Sequence, residues 1–231
     1  MPHDLSLHSG ERQTARSYDD IRADHRYRYE WAAKFIPERT FGLDAFCGNG
    51  YGAWLLGETR QVLALDGSAE AITFANEHFR RGGALFSHAY WPFQLPIEAF
   101  DFIVSLESIE HVADGQAFFD ALCASLKPGG VFVFSTPNEE LLPHRSTGNH
   151  FHFRHYTLAE TDDLARAAGL SIIGWAGQNT YEMLENGNQG PLLSDKEMIL
   201  RDSVAGQFSI FACRKPMQAP RRGVLASLFA R

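Results

Sequence analysis

A glycine-rich turn between two apolar runs constrains this chain more than any other feature. The first run ends in Asp44, three glycines follow, and a helical pattern then begins. The second run, 61–66, ends in Asp66, 22 residues after Asp44. In a strand–turn–helix–strand unit the glycines let the backbone approach a ligand, and the second acid can accept hydrogen bonds from both ribose hydroxyls. The sequence therefore predicts a site for a nucleoside-containing cofactor.

Two classes of cofactor compete for this turn. A dinucleotide site favours G-x-G-x-x-G, and Phe46, Gly48, Gly50 and Gly52 meet that spacing only in part. Asp44 would also repel a pyrophosphate and suits a cationic ligand better. The pattern instead resembles the class I S-adenosylmethionine (SAM) methyltransferases, whose first motif is acid-x-G-x-G-x-G. Gly48 and Gly50 match its second and third glycines, and Phe46 replaces the first.

The resemblance implies a set of cofactor-binding residues. The first acid lies near the methionyl end of SAM, and the second acid binds the ribose. An acid that usually recognises the adenine amino group after the third strand is missing from 85–91, so we expect aromatic or backbone contacts to hold the adenine. The expected cofactor-binding residues are Asp44, Phe46, Gly48, Gly50, Asp66, Gly67, Leu106 and Glu107.

Further motifs continue the resemblance downstream. Residues 100–106 match the fourth strand of such a domain, and 126–138 match its following turn and fifth strand. We therefore expect an α/β fold with a Rossmann-like, seven-stranded, mostly parallel sheet, helices on both faces and an N-terminal helical arm. The expected division is 1–39 for the arm or lid, 40–215 for the methyltransferase domain and 216–231 for a basic flexible tail.

The N-terminal arm has a resemblance of its own. Residues 10–12, His25 and the pair Arg28–Tyr29 are similar to the leader of bacterial methyltransferases often found with cell-surface polysaccharide genes. In that group the arm folds over the cofactor, which would make Arg28 and Tyr29 lid contacts in the cofactor site. The alternative is an amphipathic helix that packs on the sheet.

Charge and composition narrow the partners. The net charge is −7, and 214–231 carry five basic residues and no acid, so the rest of the chain carries −12. An acidic body argues against a long nucleic-acid substrate and favours a small-molecule acceptor.

No apolar run approaches the ~20 residues of a membrane span, and residues 1–10 lack the pattern of a secretory signal. With three cysteines in no metal-binding spacing, we expect free thiols and a cytoplasmic protein; the oligomeric state is left open.

The residues after the fourth strand carry the chemistry. If 106–112 form a helical turn, Glu107, Glu110 and His111 share one face at the carboxyl ends of the strands, where ligands bind. The loop after the fifth strand contains four of the ten histidines and can lie over that turn. Two carboxylates and two imidazoles would suit Mg²⁺ or Mn²⁺.

The E-x-x-E-H run resembles the ubiquinone-pathway O-methyltransferases and the small-RNA 2′-O-methyltransferases. In the latter, the two Glu and the His bind a metal with a second His, which here corresponds to His152. That resemblance implies the metal ligands Glu107, Glu110, His111 and His152. The alternative is that Glu107 contacts the cofactor while Glu110 and His111 cap a helix or pair with each other; His111 or Glu110 is then the catalytic base. We expect His150 and His155 to be solvated or structural.

These patterns predict a SAM-dependent O-methyltransferase of a small hydroxylated acceptor, such as a sugar of a surface glycan, with a divalent metal as a possible aid. Within the same class, a quinone or phenol O-methyltransferase is the next alternative. A small-RNA 2′-O-methyltransferase shares the metal pattern but conflicts with the acidic body. From a different class, the chain could be a nucleoside-binding module without turnover, which would have no need of the Glu and His residues after the fourth strand.

Overall fold

The computed structural model describes residues 5–7, 9 and 12–217. A central sheet of eight strands lies in the order β3-β2-β1-β4-β5-β10-β6-β9, and a separate hairpin pairs β7 with β8. The strands are β1 (Phe41–Ala45), β2 (Gln61–Asp66), β3 (Ala84–His88), β4 (Phe100–Leu106), β5 (Leu126–Pro137), β6 (Ser171–Gln178), β7 (Tyr181–Met183), β8 (Gln189–Leu192), β9 (Arg201–Asp202) and β10 (Phe208–Arg214). The helices are α1 (Ala23–Ala33), α2 (Tyr51–Leu56), α3 (Ala69–His78), α4 (Gly115–Ser125), α5 (His144–Thr147) and α6 (Leu158–Ala167), with a 3₁₀ turn over Ile109–His111.

The fold class predicted from the sequence is confirmed. Strands β1 to β5 are parallel, and β10 runs antiparallel to both β5 and β6. The sheet has eight strands rather than the seven predicted, because the two residues of β9 pair with Ala176 and Gly177 at its edge. Strand β1 pairs with both β2 and β4, so the strand order reverses there. Open α/β sheets bind ligands at such a switch point, beyond the carboxyl ends of the strands.

Each face of the sheet is covered by its own apolar core. Side chains alternate across a strand, so Phe102 and Val104 of β4 join one core while Ile103 joins the other. Because both faces are covered, the central strands are apolar at nearly every position. Truncating a fully buried side chain such as Phe119 to alanine would cost about 3–5 kcal/mol of stability.

The N-terminal helix is part of one of these cores. The sequence predicted a helical arm within 1–39, and α1 spans Ala23–Ala33. Its residues Tyr29, Trp31 and Ala32 are buried in the core on that face of the sheet. The helix is also tied to the segment after β6, because Thr180 donates a hydrogen bond from Oγ1 to the buried carboxylate of Asp24 at 3.2 Å.

The start of α6 carries a sequence signal, Thr157 followed three residues later by Glu160, that the structure confirms. Thr157 and Glu160 form a capping box that opens α6, which satisfies two backbone N–H groups at the helix start. The polar region 178–206 contains a hairpin, formed by β7 and β8. Within the described part of the chain, no helix combines the length and apolar composition that a membrane crossing requires. Most of the predicted basic tail lies outside the described residues.

Candidate active site

One cavity of about 820 Å³ opens at the carboxyl ends of the central strands. The glycine turn, the tip of β2, the segment after β4 and the loop 147–155 all contribute to its walls. Every site residue predicted from the sequence lines this cavity except Asp44 and Gly50. The structure thus brings the predicted cofactor residues and the predicted Glu and His residues to a single space.

The turn after β1 adopts left-handed backbone at alternate positions. The φ angles are +61° at Phe46, +54° at Gly48 and +88° at Gly50. A Cβ added at Gly48 would meet nothing within 4 Å, so the turn backbone there faces open space. Phe46 adopts the backbone that glycine would favour, and its ring packs against Phe93 and Phe118. Phe46 therefore takes up the left-handed backbone at the position where the family motif has its first glycine.

Asp66, at the tip of β2, has a fixed carboxylate. The backbone N–H of Gly48 donates to Oδ2 at 2.9 Å, and the N–H of Ser68 donates to Oδ1 at 2.8 Å. Arg12 donates to the same Oδ1 at 3.3 Å. Burial raises the pKa of Asp66, while the Arg12 guanidinium and the two backbone donors oppose that shift. The carboxylate is therefore oriented by the turn and lies against the cavity.

Asp44 lies behind the turn rather than in the cavity wall. Its side chain is fully buried, and the Tyr29 hydroxyl donates to its oxygens at 3.1 and 3.2 Å. Burial raises the pKa of Asp44 to about 7, against the opposing effect of the Tyr29 hydrogen bond. The sequence predicted that Tyr29 contacts the cofactor as part of a lid. In the structure its hydroxyl binds Asp44, the first acid of the motif.

Arg28 is a buried residue of the cavity wall and is already engaged. It donates from Nε to Gln178 Oε1 at 2.7 Å, and its guanidinium lies 4.3 Å from the centre of the Phe208 ring. Its Nη1 lies 3.7 Å from Glu107 Oε2. Ser135 donates from Oγ to the other oxygen of Glu107 at 2.6 Å. Arg28 and Ser135 together hold Glu107.

The helical turn predicted to align Glu107, Glu110 and His111 is wrong at its first residue. Glu107 has φ +51°, and helical backbone begins only at Ile109. The strand must turn away from the sheet before the 3₁₀ turn starts, and the left-handed residue makes that turn. Glu107 therefore points toward Arg28 and Ser135 instead of sharing a helix face with the other two.

Glu110, His111 and His152 form a compact group. One ligand atom from each lies within 4.8 Å of the others, and the rings of His111 and His152 are 4.5 Å apart at their centres. The group does not include Glu107, the fourth metal ligand implied by the resemblance. Glu110 is fully buried, and neither of its oxygens finds a hydrogen-bond donor among the described residues. Burial, followed by the charge of Glu107, raises the pKa of Glu110 to about 8.

An orphaned buried carboxylate beside two imidazoles fits a divalent cation. A buried acceptor without a donor is costly, and a cation at this position would supply the missing partner. His111 donates from Nδ1 to the carbonyl of Phe151 at 3.2 Å, since a carbonyl can only accept. That leaves Nε2 of a neutral His111 as the lone-pair nitrogen, which is the arrangement of metal-binding histidines. The residues present therefore fit a carboxylate–imidazole metal site of three ligands.

Sequence reasoning missed several residues of the cavity. Asn149 and His155 hold the two ring nitrogens of His152, and nothing in the sequence pattern distinguishes them from the other loop residues. His150 is exposed, as expected. Where the adenine-binding acid is missing, β3 ends in His88, and the cavity wall carries Tyr90 and Trp91 instead.

A glycine turn at the switch point, a fixed carboxylate at the tip of β2 and an acidic segment after β4 define a class I, SAM-type methyltransferase fold. The chain belongs to the family described as a methyltransferase domain, whose model matches residues 20–174.

Individual relatives agree with this assignment. The chain is 34% identical over 152 residues to a protein of Mycolicibacterium smegmatis described as a probable S-adenosylmethionine-dependent methyltransferase, covering 63% of this chain and 58% of that protein. It is 29% identical to a ubiquinone biosynthesis O-methyltransferase of Methylobacterium nodulans, covering 58% of this chain and 61% of that protein. The chain thus spans about six tenths of the length of these two relatives.

Solved structures show the same fold. The complex between the Haloferax volcanii Trm112 methyltransferase activator and a methyltransferase contains a chain that matches with a TM-score of 0.66 and 18% identity, covering 87% of this chain and 94% of that one. At this identity the likeness concerns the fold alone.

Proposed function

We propose that this protein is a SAM-dependent O-methyltransferase of a small hydroxylated acceptor and that Glu110, His111 and His152 hold a divalent cation beside the transferring methyl. One observation carries the proposal: the buried carboxylate of Glu110, which has no hydrogen-bond donor among the described residues, lies with two imidazoles in the same cavity as the Asp66 carboxylate. A binding module without turnover has no need to bury an orphaned carboxylate opposite its cofactor residues.

The cofactor end of the cavity suits SAM. The oriented carboxylate of Asp66 would accept hydrogen bonds from the ribose hydroxyls, and the open backbone at Gly48 would lie along the cofactor. Tyr90 and Trp91 provide aromatic surface for the adenine in place of the missing acid. Asp44, behind the turn, would act on the cationic end of SAM through its charge.

The acceptor end supplies a means of weakening the hydroxyl proton. A cation held by Glu110, His111 and His152 would polarise an acceptor hydroxyl and lower its pKa. The acceptor oxygen then forms a bond to the methyl carbon as the sulfur–methyl bond breaks, and S-adenosylhomocysteine leaves. With the cation bound, the polarised hydroxyl would release its proton to water. Without a cation, Nε2 of His111 would be the base that receives it, because the Nδ1 proton is directed to the Phe151 carbonyl. The negative charge of Glu107 is already paired, because Arg28 and Ser135 contact its two carboxylate oxygens.

A phenol- or quinone-type acceptor is favoured. Relatives named ubiquinone biosynthesis O-methyltransferases point to this chemistry, and Phe151, Phe153, Tyr181 and Phe208 line the cavity. The sugar acceptor expected from the arm rests on the resemblance of the N-terminal segment alone, of which residues 10 and 11 lie outside the described part of the chain.

A transfer assay with labelled SAM tests the proposal. The full chain would be incubated with phenolic, sugar-nucleotide and short RNA acceptors, with Mn²⁺ or with a chelator, beside a Glu110→Gln variant. We expect label on a phenolic acceptor with Mn²⁺, and a loss of at least about tenfold with the chelator or in the variant. Label on the sugar nucleotide alone would show that the acceptor is a sugar rather than a phenol. SAM binding without transfer to any acceptor would favour the nucleoside-binding module.

A further inference from the structure

The histidine loop contains a hydrogen-bond chain that begins and ends on backbone groups. The N–H of Phe151 donates to Asn149 Oδ1 at 2.9 Å, and Asn149 Nδ2 contacts His152 Nε2 at 2.9 Å. His152 Nδ1 contacts His155 Nε2 at 2.7 Å, and His155 Nδ1 contacts the carbonyl of Leu142 at 2.7 Å. Four contacts thus connect five groups in series, and two of these groups are imidazole rings.

Both ends of the chain set its direction. A backbone N–H can only donate, so Asn149 must accept with its oxygen and offer its amide nitrogen as the donor to His152. At the other end a carbonyl can only accept, so His155 must carry its proton on Nδ1. The carboxylate of Glu139, 3.9 Å from the same nitrogen, favours the same placement.

The two constraints meet between the histidines. A neutral His155 with its proton on Nδ1 has its lone pair on Nε2 and accepts from His152. A neutral His152 whose Nε2 accepts from Asn149 has its proton on Nδ1 and donates to His155. The directions agree, so every contact in the chain has one donor and one acceptor. Because Nε2 of each ring accepts a hydrogen bond in this arrangement, neither Nε2 carries a proton and both rings are neutral.

From this chain we infer that His155 is a positioning residue: it fixes His152 as the Nδ1–H tautomer, so that Nε2 is the one nitrogen of His152 able to bind a cation. The inference deepens the proposed function and rests on it for the cation. It gives a role to a histidine whose side chain is fully buried and which the reaction does not touch. A metal-binding histidine ordinarily has its second nitrogen fixed in this way.

The same chain identifies what a cation would displace. Nε2 of His152 accepts from the Asn149 amide, and a cation bound at Nε2 would take the place of that donor. His155 remains in place on the other side of the ring. Asn149 and His155 therefore have different roles. Asn149 donates to the lone pair on His152 Nε2, and His155 determines that this lone pair is on Nε2 rather than on Nδ1.

Two substitutions separate positioning from packing. His155→Phe keeps a ring of similar size but removes the acceptor, leaving the Nδ1 proton of His152 buried and unpaired, which is costly. We expect the proton to move to Nε2 in a measurable fraction of molecules. His155→Gln restores an amide oxygen that can accept from His152 and an amide nitrogen that can donate to Leu142. His150→Gln changes the exposed histidine of the same loop as a matched control.

Nitrogen-15 NMR of the histidine rings tests the inference on the metal-free full chain without SAM. His152 would be assigned by the signals lost in His152→Gln. We expect Nδ1–H at His152 in the wild type, His150→Gln and His155→Gln, and partial Nε2–H in His155→Phe. A wild-type His152 protonated at Nε2, or a His155→Phe variant that keeps the wild-type tautomer, would overturn it.

Titration with Mn²⁺ alone distinguishes this inference from the proposed function. We expect His155→Phe to weaken Mn²⁺ binding about 10–100-fold and His155→Gln to stay within a few-fold of the wild type. If the wild type binds no Mn²⁺ while the NMR results stand, the metal part of the proposed function fails and the positioning of His152 by His155 is retained. If Mn²⁺ binds equally to all variants, the positioning role is wrong and the metal proposal is unaffected.

Discussion

The hydroxyl of Tyr29 lies 3.1 and 3.2 Å from the two carboxylate oxygens of Asp44. This contact joins the N-terminal helix to the acid that precedes the glycine turn, and both side chains are buried. The first strand therefore presents its motif acid in an orientation that α1 fixes. The helix α1, which the sequence placed in a lid, therefore holds the Asp44 side chain in place.

Removing that hydroxyl should destabilise the fold. Tyr29→Phe leaves a buried carboxylate without its donor, which costs about 1–3 kcal/mol. Urea denaturation at pH 8, where Asp44 is mostly ionised, would measure the loss. Tyr27→Phe, at a half-buried tyrosine of the same helix, serves as the control and should change stability by less than about 0.5 kcal/mol. Equal losses in the two variants would show that the Tyr29 contact contributes nothing specific.

Stability should depend on pH through Asp44. Its pKa is raised from 3.8 to about 7 in the folded protein, so between these values the folded state holds a proton that the unfolded state releases. The free energy of unfolding therefore falls as the pH rises through this window, by as much as about 1.4 kcal/mol per pH unit. Asp44→Asn removes this contribution. The stability of the variant relative to the wild type should rise from pH 5 to pH 8 in urea denaturation; a constant difference would refute the prediction.

The orphaned carboxylate of Glu110 should govern metal affinity without affecting the cofactor. Glu110→Gln keeps the shape but removes the charge, and we expect Mn²⁺ binding to weaken at least about tenfold while SAM affinity stays within about twofold, a free-energy change under 0.5 kcal/mol. Calorimetric titrations with Mn²⁺ and with SAM would measure both. Glu58→Gln, at a side chain that is 66% exposed, controls for loss of charge. Full turnover in the presence of a chelator would leave His111 or Glu110 as the general base instead.

Strand patterns and turn chemistry were enough to predict the sheet and the positions of the glycine turn and Asp66 at the carboxyl ends of its strands. Asp44, the glycine turn and Asp66 are close in the chain, and local structure places them. The turn predicted within 126–138 also exists, but as an irregularity inside β5 where Gly129 has φ +80°. Strand pairing on either side makes the turn residues part of β5. A sequence pattern alone does not predict that pairing.

The acceptor end was harder to predict because its geometry depends on contacts between distant segments. The position of the Glu107 side chain is set by its contacts with Arg28 and Ser135 rather than by a helical repeat. The partnership of His152 with His155 depends on how the loop folds back toward Leu142. The resemblance implied four metal ligands, and the structure groups three of them.

Calorimetric titration of the wild type and Asp66→Ala with SAM tests the central claim most directly. The variant loses a carboxylate that the Gly48 and Ser68 N–H groups orient, and with it the charge-assisted hydrogen bonds to the ribose. We expect the wild type to bind SAM and the variant to bind it about 1–3 kcal/mol more weakly, while Asp120→Ala, at an exposed carboxylate on α4, binds like the wild type. A wild type that binds no SAM, or binds a nicotinamide dinucleotide tightly instead, would contradict the account.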